Sequence, residues 1–186
     1  PMVNGALDLL LEGEQGNASF LVDDTLPART ALLECIHVLV CVADRSLGVE
    51  RYLPPLPLRI VIDTRLLARN EYSPSADVVR RAADREIELA RYRSLLTKLV
   101  KPMLAHAETL ARERTQIEIG AALAAVERDL GQEQDRLIAL ARVNPAVREE
   151  EIQALADELE ALRSAIPMAT PMPRPTSTAP SPSALR

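Results

Sequence analysis

From Ala31 to Ala43 nearly every position is apolar, with Ile36, Val38, Val40 and Val42 on one parity and Cys35, His37, Leu39 and Cys41 on the other. A two-residue side-chain period with apolar groups on both faces predicts the central strand of a sheet. A second alternation, Leu58, Ile60 and Ile62 against Arg59, Val61 and Asp63, predicts a neighbouring strand with one wetter face. Asn17 to Val22 is a third strand candidate, closed by Asp23-Asp24 and a Leu26-Pro27 turn. Ahead of it, Val3, Ala6, Leu7, Leu10 and Leu11 recur at helical spacing and stop at Gly13, which predicts a short amphipathic helix over Met2 to Glu12 lying against the sheet.

From Ser73 onward the period changes to that of a helix, with Ser73-Pro74 or Ser75 able to cap the start. Lys101-Pro102 predicts a kink or a boundary, because proline removes an interior backbone hydrogen bond. Beyond it, Ile119, Leu123, Val126, Leu130 and Leu137 follow a heptad seam, and Ile152, Leu155, Leu159, Leu162 and Ile166 form a second one. Between them lies Arg142-Val143-Asn144-Pro145, with Asn144 placed to cap, Pro145 to take the first helical position, and Glu149, Glu150 and Glu151 to favour the positive end of the helix dipole. The two stripes match each other, so an internal antiparallel hairpin is favoured over an oligomerisation coil. Pro167 to Arg186 holds six prolines among Ser, Thr and Ala, and such a segment cannot bury enough to offset its ordering entropy. The expectation is therefore α+β: a small antiparallel β-sheet (residues 1–70, including the short first helix), a long coiled-coil-like antiparallel helical hairpin (73–166) and a disordered Pro-rich tail (167–186).

The two alternating strands are joined by Val49-Glu50-Arg51-Tyr52-Leu53-Pro54-Pro55-Leu56-Pro57-Leu58-Arg59. Three prolines in four positions fix φ and remove donors, which predicts a stiff extended crossing in place of a helix or central ladder. A preorganised segment loses little entropy on binding, and Arg and Tyr are common interface anchors, so Arg51, Tyr52, Leu53, Pro54, Pro55 and Arg59 form a candidate protein interface. The alternative is scaffolding, with Tyr52 and Leu53 tucked under the sheet and the prolines aiming the next strand.

At 186 residues and 47% hydrophobic, the chain can bury one core plus appendages. A net charge of −5 and only Phe20, Tyr52, Tyr72 and Tyr92 as aromatics weigh against a whole-surface nucleic-acid footprint or a base-stacking platform. Arg80, Arg81, Arg85, Arg91, Arg93, Lys98 and Lys101 make the first long helix the most basic segment, open to reading as a phosphate-facing stripe. Asp84, Glu86 and Glu88 interrupt it, which favours a solvated helix face with intrahelical pairs. No apolar run reaches the roughly 18 residues of a membrane span. Cys35 and Cys41, six positions apart on one strand, lie about 20 Å from each other and cannot bridge, which fits a reduced cytoplasmic setting. With His37 they are the one metal-like constellation, and core packing accounts for them without a metal. No glycine-rich phosphate cradle and no Gly-x-Ser-x-Gly elbow occurs, so neither nucleotide hydrolysis, a cofactor nor catalysis is expected of this chain alone.

The opening Met2-Val3-Asn4-Gly5-Ala6-Leu7-Asp8-Leu9, the Arg51-Tyr52-Leu53-Pro54-Pro55-x-Pro57-x-Arg59 lead-in and Arg142-Val143-Asn144-Pro145 before an acidic helix start occur in the order seen in one family. Over roughly residues 1 to 160 the chain resembles the C-terminal domain of RapA (HepA) proteins, bacterial Swi/Snf-type ATPases associated with RNA polymerase. The resemblance implies a parent protein with two ATPase lobes and a spacer upstream, consistent with a chain that opens on Pro1. It also implies nucleic acid and RNA polymerase as the parent's partners, with a non-catalytic role for this domain in packing on or regulating the motor. A free-standing coiled-coil adaptor or oligomerisation module is the alternative. Family members continue the last helix into an apolar strand, whereas here Ile166-Pro167 opens the proline-rich stretch.

Overall fold

The computed structural model describes residues 19–83 and 88–173. The helix expected over Met2–Glu12 lies outside the described residues, as do Asp84, Arg85, Glu86 and the chain beyond residue 173. Strand β1 (Leu32–Val40) is central, flanked antiparallel by β2 (Leu56–Asp63) and β3 (Thr170–Pro173) in the order β2-β1-β3. The register pairs Cys35 with Ile60, Ile36 with Arg59, and Val38 with both Pro57 and Met172. Helix α1 (Ala76–Ala83) precedes the long α2 (Leu89–Val126), which passes through a π-helical turn at Glu127–Gly131 into α3 (Gln132–Ala141). A turn then reverses the chain into α4 (Glu149–Ala165), giving the α+β architecture of sheet and helical hairpin. No helix among the described residues is long and apolar enough to cross a membrane.

The helices cover one face of the sheet. Met103, Ala107, Ala111, Thr115 and Ile119 lie four residues apart on α2 and are all buried. A ridge of that spacing is inclined by about 26° to the helix axis, so it can cross the strands obliquely. Its lower part, Met103, Ala107 and Ala111, packs with Ile60 and Ile62 of β2, with Leu33, Cys35 and Leu99 at the margin. Its upper part joins Leu39, Leu53 and Leu58 to Val126, Leu130, Leu159, Leu162 and Ile166. One helix thus seals both the sheet and the hairpin.

Several expectations are corrected. Both faces of β1 are apolar in sequence, but among the described residues the helices pack on the Cys35, His37 and Leu39 face, and Ile36 on the other face is 50% exposed. Cys41 falls just past the strand. The described part of the Asn17–Val22 candidate, from Ser19 on, is not a strand. Pro102 sits inside α2 and creates no boundary: Leu99 and Met103, on either side of it, both pack against the second cluster, which offsets the roughly 3 kcal/mol an interior proline costs. The first part of the proline lead-in is helical after all, a 3-10 turn over Val49–Arg51, since the prolines that forbid a helix begin only at Pro54. Asn144 does not cap α4. Its side chain accepts from Ala146 N–H at 3.0 Å to close the turn, and the helix begins at Glu149 after an extended Arg148, with Glu149, Glu150 and Glu151 in its first turn.

Residues 167–173, expected within a disordered tail, are structured. Ile166–Met168 form a 3-10 turn that leads Ala169, 5% exposed, into the core and Thr170–Pro173 into the sheet. Ending the chain after Ile166 should therefore lower Tm by at least about 2 °C, as loss of a kcal/mol or two does in a chain of this size. An unchanged melting curve would show that β3 contributes nothing to the fold.

Candidate interaction surface at the proline-rich lead-in

Two 3-10 turns, Arg45–Leu47 and Val49–Arg51, meet at Gly48, whose φ of 56° lies in the left-handed region that glycine enters without strain. Asp44 caps the first by accepting from Ser46 N–H at 2.8 Å. Leu53 N–H donates to the Val49 carbonyl at 2.9 Å, so Val49 and Leu53, each 5% exposed, enter the core together. That geometry leaves Arg51, Pro54 and Pro55 on the surface and Tyr52 half-buried. The Arg51 guanidinium carbon stands 5.2 Å from the centre of the Tyr52 ring, a cation–π contact. The Tyr52 hydroxyl is buried without a hydrogen-bond partner among the described residues, and burial, reinforced by Asp129 and Glu158, raises its pKa. Beside it opens a groove of about 260 Å³ with Tyr52, Leu53 and Pro54 on one wall and Glu118, Ala121 and Ala122 of α2 on the other. Of the interface candidates, Arg51, Tyr52, Pro54 and Pro55 therefore lie together at the surface, whereas Leu53 is taken into the core.

Arg59 is not part of that surface. Its guanidinium grips Glu34 with two bonds of 2.8 and 3.1 Å and donates to the carbonyls of Asn70 and Tyr72 at 3.1 and 2.6 Å. The Tyr72 hydroxyl in turn donates to Asp23 at 2.9 Å, and burial followed by that carboxylate pushes the phenol up to about 12. Asp63 organises the adjoining loop by accepting from Leu67 and Arg65 N–H and from Arg69, and these donors hold its carboxyl below the usual range. The loop then runs along the free edge of β2, where Val61 N–H donates to Asn70 Oδ1 at 3.0 Å and Val61 accepts from Arg69 N–H. This explains why Val61 and Asp63, expected on a wetter face, are buried. Glu34, Asn70, Tyr72 and Asp23 were not legible as a set, because their partners lie 9 to 49 residues apart in sequence.

Of the hairpin positions, Ile119, Val126, Leu130, Leu159 and Leu162 are buried, and Leu123 and Leu155 pack half-buried against the same cluster. Leu137 and Ile152, nearer the turn, are half-buried. Arg163 of α4 forms a bidentate pair with Glu127, its second bond 2.8 Å, and fastens the π-helical turn to the facing helix. Cys41 donates to the Ala165 carbonyl at 3.3 Å. Burial raises the pKa of Cys41 and, with help from Glu34, that of Cys35, which disfavours reactive thiolates. No cluster able to hold a metal occurs among the described residues. His37, 5% exposed, sits on the covered face of β1 with Nδ1 unpartnered.

A sheet sealed on one side by a helical hairpin, with ion pairs tying β1 to β2 and one arm of the hairpin to the other, defines an α+β domain. The C-terminal family model of RNA polymerase recycling proteins matches residues 1–171. The RNA polymerase-associated protein RapA of Sodalis glossinidius is 36% identical over 165 residues, 84% of this chain and 16% of the relative. RapA of Stutzerimonas stutzeri is 33% identical over 174 residues, 86% of this chain and 17% of the relative. The chain belongs to the RapA C-terminal domain family, and it spans about one-sixth of the length of these relatives.

Two outcomes follow from the site. Arg59→Ala should destabilise the fold by about 1–3 kcal/mol in urea melts, because it leaves two carbonyls and a carboxylate without their donor, whereas Arg51→Ala should stay within about 0.5 kcal/mol. Equal effects would refute this division of roles. Burial lowers the pKa of His37 below its usual 6.5, opposed in part by Glu108, so the unfolded state binds the proton more readily. Its contribution is complete above pH 6.5 and is lost as pH falls below that value. Tm should fall between pH 7.5 and 5.5 in the wild type and visibly less in His37→Leu; parallel profiles would show that His37 does not titrate on unfolding.

Proposed function

We propose that the chain is the non-catalytic C-terminal domain of a RapA-like, ATP-driven protein that recycles RNA polymerase, and that it packs on or regulates the motor through protein surface. The observation that carries this reading is the family match across residues 1–171 in a chain only a sixth as long as its relatives. The surface best suited to a partner is the Arg51–Pro55 lead-in with its groove. Prolines there limit the entropy lost on binding, and Arg51 and Tyr52 are anchor residue types beside the groove. Nucleic acid is engaged by the parent, with this domain contributing contacts to the upstream lobes and spacer or to the polymerase.

The test uses the parent protein carrying Arg51→Glu with Ala121→Glu, both exposed positions. Retention on RNA polymerase or nucleic-acid-stimulated ATP turnover should drop at least about fivefold, the effect of losing roughly 1 kcal/mol of interface, with the melting temperature unchanged. If both assays match wild type, the lead-in is scaffolding and this assignment of the surface fails.

A further inference from the structure

The loop after β2 covers that strand's outer edge only as far as Val61. Val61 turns its N–H and carbonyl away from β1, where they bond Asn70 Oδ1 at 3.0 Å and the Arg69 N–H. Asn70 meets the edge through its side chain, and the chain then crosses Arg59, whose guanidinium holds the Asn70 and Tyr72 carbonyls. The β1–β2 register runs without a bulge, so Arg59, two residues before Val61, turns its main-chain N–H and carbonyl the same way. Among the described residues neither main-chain group has a partner. Pro57, two further back, adds an outward carbonyl and no N–H.

Beside this stretch of edge lies a cleft of about 490 Å³ between β2 and α2. Leu58 lines it from the strand, Leu110, Glu113 and Ile117 from the helix, and Ala68 and Asn70 from the loop. Ile117 is 61% exposed and Leu110 is half-buried. Arg59 pairs with Glu34, and Arg114 with Glu118 at 3.1 Å, whereas Glu113 has no ion pair among the described residues. The cleft thus presents an apolar wall, one unbalanced carboxylate and a short row of main-chain groups. A row of main-chain donors and acceptors at a sheet edge selects an extended polypeptide, which can answer each of them in register.

We propose that β2 accepts a short extended segment of a partner protein as an added strand, bonded to the Arg59 N–H and carbonyl and to the Pro57 carbonyl. Alternate side chains of such a strand point to one face, so an apolar residue fills the cleft against Leu58, Leu110 and Ile117, and a Lys or Arg two positions away meets Glu113. Asn70 bounds the slot at one end, and the donor that Pro57 lacks bounds it at the other. The cleft adjoins the groove beside the lead-in, with Leu56 and Glu118 common to both, but the inference does not rest on that groove's assignment.

Random linear peptides displayed on phage and panned against the 186-residue chain supply the probe. Recovered peptides should carry an apolar residue and a Lys or Arg at alternate positions. The tightest of them, at saturation, should slow hydrogen exchange of the Arg59 amide at least about tenfold. Ile117→Glu, at an exposed position, should weaken its binding at least about tenfold with Tm unchanged, and panning against Glu113→Arg should recover acidic residues where the wild type recovers basic ones. No enrichment over a bare support would overturn the proposal, as would peptides that bind Ile117→Glu as tightly as wild type or leave exchange at Arg59 unchanged. Binding lost in Arg51→Glu/Ala121→Glu but kept in Ile117→Glu would place the peptide in the lead-in groove; the surface named under the proposed function would then stand and the added strand would fall.

Discussion

The structure depends on how closely α2 can approach the sheet. Ala107 and Ala111, both fully buried, set that approach, and Thr115 follows one turn later with its hydroxyl turned back to the Ala111 carbonyl at 2.9 Å. Larger residues at these points would lift the helix and open both core clusters at once. Because the ridge continues through Ile119, Ala122, Val126 and Leu130, the contact that seats the helix on β2 also presents the surface on which α4 lies. Deleting a buried methylene in such a ridge costs about 1 kcal/mol, and overpacking costs about 1–3 kcal/mol, so its tolerance is narrow in both directions.

A three-stranded sheet has two edges to protect. The free edge of β2 is closed by the loop that Asp63 nucleates and Asn70 completes, while Arg59 binds that loop back to Glu34 of β1. On the other edge, β3 carries prolines at 171 and 173, alternate positions whose missing N–H groups suit a strand with one neighbour. Arg59 therefore belongs with the framework, and the lead-in's exposed residues, Arg51, Pro54 and Pro55, are left as its outward-facing surface. A single stiff segment delivers one arginine inward and another outward.

Much of this was legible as periodicity. The two-residue alternation marked β1 and β2, and the two heptad stripes marked a hairpin whose buried residues include Val126, Leu130, Leu159 and Leu162. What escaped was decided by tertiary context. A four-residue edge strand inside a twenty-residue proline-rich stretch has no composition of its own, and only its pairing with Val38 and Leu39 reveals it. Pro102 reads as a break locally but is outweighed by packing on both sides. Asn144 fits a helix cap and a turn equally well by residue type. The Glu34–Arg59–Tyr72–Asp23 chain could not be assembled from sequence, because each link needs the sheet register first.

The central claim is that one helix ridge makes sheet and hairpin a single cooperative unit. Native-state hydrogen exchange along a urea series measures this directly, by comparing opening free energies for amides of β1 around Leu39 with those of α4 around Leu162. The account predicts that the two converge on the same global unfolding free energy and fall together in Ala111→Leu. A hairpin that opens at substantially lower free energy while the sheet stays closed would contradict it.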